Sequence, residues 1–496
     1  MTDITAGHPP AGLPAQGATG SAASAAQAVA RSVAKYPGRW AVFAVVLLAD
    51  MMDLIDSTVT NVGGPAIRGD LGGGETLLQW LGAGYTLAFA VFLITGARLG
   101  DLYGRRRLFL IGAAGFTLAS GLCAVAWSPE SLVTLRVLQG SFGALMIPQG
   151  FGMLTEVLDE HDMPKAFGLF GPIMGISAVL GPISGALLIE GDLLGTGWRM
   201  IFLVNVPLGL ACLAIGARYM PRTVVARGGR LDLPGMALVG AAALALVFPL
   251  IEGREKGWPA WTFALMAAGA LLAVAFARYE RRRPADQALV QVSLMRNRAF
   301  TSGTAVAAGF FAAFAGIMLV LSLFWQVGEG FTPIKAALSL VPLSLGMVVG
   351  MVASFALVGR LGRRLVHLGI VLAAAGLGGM ALTAFLQDHP SPWSMVPAVA
   401  VVGIGAGMVF GQLFDVILGG VVEAEVGTAS GLLNALQQMA FALGIAGVAT
   451  IFFDVMDAPH LPSSALGVTA LVAVVPLAIS YALAFKLPER ARPGTH

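Results

Sequence analysis

The feature that most constrains this chain is a succession of long, uninterrupted apolar blocks. Many of them exceed the roughly 20 residues that a helix needs to cross a hydrocarbon core about 30 Å thick. Only 11% of the 496 residues are charged, whereas a soluble domain carries about a quarter. The blocks also lack the alternating or helical periodicity of half-buried soluble elements. The sequence therefore predicts an all-α polytopic membrane protein.

Turn and charged residues between the apolar blocks predict fourteen transmembrane spans, with both chain ends cytoplasmic. The spans cover residues 41–62, 77–99, 107–127, 131–156, 166–189, 200–220, 232–251, 258–278, 299–326, 334–358, 366–386, 393–419, 429–453 and 465–486. We predict a disordered cytoplasmic tail at 1–39, a six-helix bundle at 40–220, two extra transmembrane helices with linkers at 221–298, a second six-helix bundle at 299–486 and a cytoplasmic tail at 487–496. The Gly- and Arg-rich loop 96–107 is echoed by 359–364, as two related halves would require.

Positive charges decide the predicted orientation. Most of the 30 Lys and Arg residues fall in loops on the side of the chain ends. Those in the opposite loops and their margins are Arg68, Arg199, Arg254, Lys256 and Lys335. Cytoplasmic loops carry such an excess of Lys and Arg. We therefore place the N-terminus in the cytoplasm and the protein in the plasma membrane.

The remaining composition excludes several classes of site. The two cysteines, Cys123 and Cys212, lie in apolar blocks, so neither a disulfide framework nor a cysteine-rich metal site is expected. The six histidines are scattered through tails, loops and span edges, and a net charge of +3 gives no strongly basic surface for nucleic acid. We expect no metal, no cofactor, no nucleic-acid partner and no enzymatic activity.

Ionisable residues inside predicted spans are candidates for function because burying a charge in a bilayer is costly. Span 1 holds Asp50, Asp53 and Asp56, which share about one third of the helix surface at 100° per residue. Three close carboxylates in a low dielectric cannot all stay ionised. We predict that this group of carboxyls takes up and releases protons, with the main proton carrier left open. The alternative is a structural carboxyl held by hydrogen bonds.

Span 4 supplies a counter-charge in Arg136. Arg136 and Asp56 each lie roughly 8–9 Å below the same surface, at 1.5 Å per residue from the outer ends of their spans. An ion pair is therefore feasible, and Gly140 and Gly143 would let another helix approach closely. The alternative is that Arg136 extends to the outer headgroups, but Gln139 on the same side favours a polar cavity.

Small and polar residues complete the candidate set. Span 5 concentrates glycine and proline, including Gly181, Pro182 and Gly185, which suits a compliant helix interface. Glu156 is predicted to pair with the basic loop, and Asp415 is interpreted as solvated, the alternative being a second proton site. Candidate cavity-lining residues are Trp80, Tyr85, Gln139, Gln149, Gln326, Asn434 and Gln438. Glutamine and asparagine in such bundles often make only interhelical hydrogen bonds.

Five motifs in order resemble the major facilitator superfamily, and specifically its fourteen-span drug:proton antiporter branch. The resemblance covers about residues 40–487. An inner-loop motif that gates the inward-closed state of the family is matched by Gly96, Gly100, Asp101, Gly104, Arg105 and Arg106. Arg136, Gln139 and Gly140 resemble the span-4 motif, whose arginine is linked to proton transfer. Segment 181–185 is similar to the span-5 antiporter motif, 56–61 to the span-1 motif, and 198–207 to the sequence around the start of span 6.

This resemblance implies a major-facilitator-type fold and a proton-coupled antiporter that exports hydrophobic or amphiphilic small molecules by alternating access. Asp53 and Asp56 would carry protons, Arg136 would reset them, and the loop residues Asp101, Arg105 and Arg106 would latch the inner gate. The expected partners are a small-molecule substrate, protons and the bilayer, and the protein is expected to function as a monomer.

Three other functions are consistent with a polytopic membrane protein. A proton-coupled importer of a nutrient on the same fold is the main alternative, which Gly181 and Pro182 disfavour. A membrane enzyme would need an acid, nucleophile or metal constellation at one depth. A sensor would be expected to carry a sizeable soluble domain, and the sequence has none.

Overall fold

A computed structural model describes residues 36–159, 161–192, 195–222, 232–283, 290, 292–422, 425–457 and 461–488. Fifteen helices run through these ranges: α1 Arg39–Leu71, α2 Glu75–Tyr103, α3 Arg105–Ala124, α4 Pro129–Val157, α5 Met163–Glu190, α6 Gly197–Tyr219, α7 Leu233–Glu255, α8 Ala260–Glu280, α9 Val292–Arg296, α10 Arg298–Gly328, α11 Pro333–Leu361, α12 Arg364–Leu386, α13 Pro392–Gly419, α14 Val426–Asp457 and α15 Pro462–Ala484. The predicted tails 1–39 and 487–496 lie largely outside the described residues.

The prediction of fourteen spans is wrong. Among the described residues, twelve helices are long and apolar enough to cross a membrane. The predicted spans 41–62 and 166–189 have no counterpart among the twelve. The first lies in α1, whose apolar length is interrupted by three aspartates, and the second lies in α5, where Leu180–Glu190 is a shorter apolar segment. Both helices nevertheless pack into the structure, because α1 and α5 lie against each other.

Two helical bundles form the body of the described structure. In the first bundle, α4 packs against α2 and α3, and α1 packs against α5 and α6. In the second, α13 lies between α11 and α12, while α10 packs against α14 and α15. Each bundle has its own apolar core, and α2 contributes Leu78, Ala83 and Leu87 to the core of the second. Helices α2 and α14 therefore form the main seam between the bundles.

The hairpin of α7 and α8 lies on this seam. Helix α7 packs against α2 of the first bundle and α14 of the second, while α8 contacts mainly α7. Most of the apolar surface of α8 is exposed, as expected for a helix that faces lipid. The division of the chain into domains at residues 220 and 299 stays a prediction.

The two inner loops with similar sequences, 96–107 and 359–364, also share a glycine with positive φ. Gly104 separates α2 from α3 with φ +93°, and Gly362 separates α11 from α12 with φ +50°. Side chains with a Cβ rarely adopt such angles. The glycines therefore permit a sharp turn between consecutive helices at both loops.

A proline in α1 is compensated by the opposite bundle. Pro65 has no N–H, so the Asn61 carbonyl four residues earlier loses its helical partner. Ser322 of α10 donates its hydroxyl to that carbonyl at 3.0 Å, and Gln326 donates to Ser322 at 3.0 Å. This chain of bonds joins the two bundles near the outer end of α1.

Candidate functional site

The centre of the first bundle contains a fully buried ion pair. Arg136 of α4 is 0% exposed and Asp56 of α1 is 2% exposed. Nη1 of Arg136 donates to the Asp56 carboxylate, and its Nε donates to the Leu81 carbonyl at 3.3 Å. The pair expected from matched depth is therefore present, and Arg136 does not extend to the outer surface.

Two amides complete the hydrogen bonding of Asp56. Gln139 Nε2 and Asn205 Nδ2 both donate to Asp56 Oδ1 at 2.9 Å. Asn205 also donates to Ser120 Oγ at 3.1 Å, and Gln139 Oε1 accepts from Arg136 at 2.8 Å. Asp56 thus receives donors from α4 and α6, and both of its carboxylate oxygens are hydrogen-bonded. Asn205 and Ser120 were not predicted as site residues, although 198–207 belonged to a recognised motif.

Asp53 has a different environment from Asp56. The Tyr85 hydroxyl donates to Asp53 Oδ1, and Asp53 is partly accessible. The Tyr85 ring lies 4.4 Å from the guanidinium carbon of Arg136. Tyr85 therefore touches both the carboxylate and the arginine. Asp50, 6% exposed, keeps an Oδ2 atom without a hydrogen-bond partner in the described part of the chain.

Glycines position the helices that carry these groups. A Cβ on Gly140 of α4 would overlap the Tyr85 carbonyl of α2, and one on Gly143 would lie 3.1 Å from the Phe89 ring. The predicted close approach at these glycines is present. Because the backbones of α4 and α2 are in direct contact here, the Arg136 side chain lies against the Tyr85 ring and bonds the Asp56 carboxylate.

The span-5 glycines hold α5 against the helix that carries the carboxylates. A Cβ on Gly181 would overlap Thr58 Oγ1, and one on Gly185 would lie 2.9 Å from Val59. Pro182 is buried between them. The motif therefore fixes the distance between α5 and α1 immediately next to Asp56.

The inner loop forms ion pairs within the first bundle. Arg105 pairs with Asp101 at 3.3 Å and with Glu156 of α4 at 3.1 Å, so the expected pairing of Glu156 is present. Arg106 donates to the Ala217 carbonyl of α6. Gln149 donates to the Gly96 carbonyl at 2.6 Å and lies against Gly100, which has no Cβ to displace it.

The predicted cavity-lining residues fall in several environments. Tyr85 and Gln139 belong to the ion-pair network, Gln149 supports the inner loop, and Trp80 donates Nε1 to Glu252 of α7 at 3.0 Å. Asn434 is exposed and donates to the Ser430 carbonyl at 3.1 Å. Gln326 bonds Ser322, and Gln438 is half-buried. The structure therefore does not bring this set together around one space, and their lining role stays a prediction.

A cluster of aromatic rings in the second bundle was not predicted. It consists of Phe310, Phe311, Phe314, Phe410, Phe414 and Phe441, with neighbouring ring centroids 5.0–6.4 Å apart. Phe310 and Phe311 are buried, and the other four are partly accessible. Helices α10, α13 and α14 carry the cluster, and the alternation of α10 phenylalanines every three or four residues was the available signal.

The bundles meet at their outer ends. Ile334 of α11 donates its backbone N–H to Glu190 of α5 at 2.8 Å, and Val62 and Ala186 pack with Ala337. The two bundles are therefore in direct contact at the predicted outer side.

Comparison with known proteins decides the family. Residues 46–445 match the family model described as Major Facilitator Superfamily. The chain belongs to the Major Facilitator Superfamily. It is 46% identical over 425 residues to a protein of Streptomyces coelicolor named "Probable actinorhodin transporter", covering 85% of this chain and 74% of that protein. It is 34% identical over 422 residues to "Puromycin resistance protein pur8" of Streptomyces alboniger, covering 84% and 82%.

Solved structures show the same major facilitator fold. A bacterial homologue of the human drug peptide transporters PepT1 and PepT2 matches with a TM-score of 0.61 at 15% identity, covering 90% of this chain and 97% of that one. An auto-inhibited peptide transporter of the POT family matches with a TM-score of 0.62 at 15% identity, covering 92% and 99%. At this identity the likeness concerns the fold alone.

The predictions that depend on the family are confirmed with it. This member of the superfamily is a transporter of small molecules and not an enzyme, and it is a multi-pass protein of the plasma membrane. The resemblance to the drug-efflux branch is confirmed by relatives that include the puromycin resistance protein and a multidrug resistance protein of Mycobacterium tuberculosis. The number of spans is the part of that resemblance that the structure corrects.

Proposed function

We propose that the protein is a proton-coupled antiporter that exports hydrophobic or amphiphilic small molecules, antibiotics among them, by alternating access. The observation that carries this proposal is the buried Asp56–Arg136 pair with the accessible Asp53 beside it. A carboxylate inside a membrane bundle and next to a fixed positive charge can exchange a proton as its access changes. The names of the relatives support efflux of antibiotics.

The hydrogen bonding supports a division of roles between the two carboxylates. Asp56 receives donors from Arg136, Gln139 and Asn205, so protonating it would leave a buried guanidinium unpaired at a cost of several kcal/mol. Asp53 has the Tyr85 hydroxyl, which can rotate to accept when Asp53 is protonated. In the proposed mechanism Asp53 carries the proton, Asp56 anchors Arg136, and Tyr85 transmits the charge state of Asp53 to Arg136.

The aromatic cluster supports an apolar substrate. Helix α13 is packed between α11 and α12, and α10 touches α1 of the first bundle. The accessible sides of Phe314, Phe410 and Phe414 are therefore proposed to open on the space between the bundles, with Asp53 on the opposite wall. Rings of this kind contribute dispersion contacts without directional demands, as an exporter of varied hydrophobic molecules requires.

Transport in proteoliposomes tests the proposal. Uphill movement of a fluorescent lipophilic dye should follow an imposed proton gradient and stop when a protonophore is added. Asp53→Asn should abolish uphill movement while permitting downhill exchange, because exchange needs no proton release. Accumulation that survives the protonophore and requires ATP would contradict proton coupling.

A matched comparison tests the assignment of the carrier. Asp56→Asn should lower the amount of folded protein as well as transport, because it removes the partner of Arg136. Asp53→Asn should leave the thermal midpoint close to that of the parent. If Asp53→Asn exports uphill at the parental rate with the same pH profile, Asp53 is not the carrier, and Asp56 becomes the group to test.

A further inference from the structure

The outer tip of the α7–α8 hairpin connects to both bundles through one side chain. Arg254 of α7 donates Nη2 to Glu75 at the start of α2 and Nη1 to Asp457 at the end of α14. Arg254 is 10% exposed, and its guanidinium carbon lies 5.4 Å from the Phe453 ring of α14. A single cation thus bridges two carboxylates that belong to different bundles.

The hairpin tip makes more polar contacts with α2 and the residue before it than with α14. Trp80 of α2 donates to Glu252 at 3.0 Å, and the Thr76 N–H donates to Glu255 at 3.2 Å. Gly74, which precedes α2, leaves the space that the Glu255 carboxylate occupies. On the α14 side, Thr450 donates to the Leu250 carbonyl at 2.8 Å, and Asp457 pairs with Arg254.

The two ion pairs of Arg254 also differ in exposure. The Asp457 side chain is 66% exposed, whereas that of Glu75 is 22% exposed. Water can therefore solvate Asp457 as soon as the pair separates, while separating Glu75 would leave it partly desolvated. The Asp457 pair is the one that can break at small cost.

We propose that the α7–α8 hairpin is an outer latch that moves with the first bundle and releases α14 when the outer ends separate. In the closed state described here, Arg254 ties α2 to α14 through Glu75 and Asp457. On opening, the contacts to α2 persist and the Arg254–Asp457 pair breaks. The inference assigns a role to the α7–α8 hairpin and rests on the alternating access of the proposed function.

Access to the outer seam measures the latch without a substrate. Val62 is 1% exposed and packs between the bundles, so Val62→Cys should react with an outside-applied, membrane-impermeant maleimide only when the seam opens. The buried Cys123 and Cys212 serve as the blank in the parent protein. Arg254→Gln should raise the alkylation rate of Val62→Cys by roughly fivefold or more, the scale on which conformational couplings act.

The carboxylate variants distinguish a latch from a static contact. Asp457→Asn should raise the alkylation rate more than Glu75→Gln, because only the Asp457 pair must break on opening. Burial alone predicts the opposite order, since Glu75 is the less exposed partner. In an Arg254→Gln background, Asp457→Asn should have no further effect, as a double-mutant cycle requires of a direct pair.

Lys256→Gln is the matched control, because Lys256 is a cation at the same tip whose pair, with Glu252 at 3.0 Å, stays inside the hairpin. It should leave the rate unchanged. Equal rates in the parent, Arg254→Gln and Asp457→Asn, at equal thermal midpoints, would overturn the latch and leave the proposed antiporter intact. Export that fails in the parent while the alkylation differences persist would contradict the antiporter and not the latch.

A thiol cross-link identifies the side that releases. Arg254→Cys joined to Asp457→Cys by a short bifunctional reagent should stop export, and Arg254→Cys joined to Glu75→Cys should not. Arrest by both cross-links, or by the Glu75 one alone, would overturn the proposal that the hairpin moves with the first bundle.

Discussion

The outer and inner ends of the molecule use the same kinds of charged group in different ways. At the outer end, Arg254 joins carboxylates of both bundles and Glu190 of α5 accepts from the α11 backbone. At the inner end, Arg105 pairs with Asp101 and Glu156, all in the first bundle. Ion pairs that cross the seam favour the state in which that end is closed. The difference accounts for the closed outer side of this structure.

The inner loop therefore has exposed charged side chains that are available for ion pairs with the second bundle. The Asp101 side chain is 47% exposed and pairs with Arg105, four residues later. We expect the loop to exchange these contacts for contacts to the second bundle when the inner end closes. Variants at the two ends should therefore have opposite effects on the rate at which Val62→Cys is alkylated from outside.

The largest effect is expected at the buried ion pair of the first bundle. Arg136, Asp56 and Asn205 tie α4, α1 and α6 into one body. Arg136→Ala leaves Asp56 buried and unpaired, and we expect the free energy of unfolding in detergent to fall by about 3–5 kcal/mol. Thermal unfolding measures this loss. A midpoint within one degree of the parent would show that the pair does not hold the bundle together.

The inner loop should give the next largest effect, with the sign opposite to that of Arg254→Gln. Asp101→Asn and Arg105→Ala each remove a charge that we propose favours the inward-closed state, and couplings in such equilibria are typically worth about 1–3 kcal/mol. The outside alkylation rate of Val62→Cys should therefore fall, while substrate still binds. A rise in both variants would remove the loop from the gate and abolish the contrast between the two ends.

The glycine turns allow a smaller test of the inner end. Gly362→Ala introduces a Cβ at φ +50°, and we expect a loss of about 1–3 kcal/mol of stability, as for other strained backbone positions. Gly359→Ala is the control, because its Cβ would meet no described atom within 4 Å. Equal midpoints for the two variants would mean that the turn can relax without a glycine.

The smallest effect is expected from an outer pair that does not cross the seam. The Trp198 indole and Arg199 bond Asp70 at 3.0 and 2.7 Å and hold the pKa of that carboxyl below its usual value. Because the folded pKa is lowered, the pair stabilises the protein above the unfolded pKa, about 3.9, and is lost as the pH falls through the folded value. Asp70→Asn should cost below about 1 kcal/mol at neutral pH and should flatten the stability profile below about pH 4.

Asp70→Asn should also leave the alkylation of Val62→Cys unchanged, since α1 and α6 belong to one bundle. The same labelling experiment thus separates outer charges that cross the seam from outer charges that do not. A rate like that of Arg254→Gln would show that any loss of outer charge opens the seam.

The sequence predicts the depth of a residue along its helix better than the direction in which its side chain points. Depth below the membrane surface follows from counting residues, and it gave the Asp56–Arg136 pair and the pairing of Arg105 with Glu156. The direction in which a side chain points depends on which helices are neighbours. Trp80 was therefore expected in a cavity, whereas it bonds Glu252 of the hairpin.

Counting spans failed for a related reason. The three aspartates of α1 were read as functional charges inside an apolar block, yet they interrupt the apolar length by which a span is defined. Asn205 has no distinguishing signal in the sequence, because a lone asparagine near a helix start is common. Its role depends on the hydrogen bond to the Asp56 carboxylate of α1, and no local sequence pattern predicts that contact.

Because of the proline in α1, separation of the outer ends of the two bundles requires a water molecule. The Asn61 carbonyl, deprived of its helical donor by Pro65, is satisfied by Ser322 of the other bundle. When the outer ends part, this oxygen must find a water molecule, since an unpaired buried carbonyl costs about 1–3 kcal/mol. In the proposed transport cycle, opening of the outer side is therefore coupled to hydration of the seam, and we expect osmolytes excluded from that crevice to slow it.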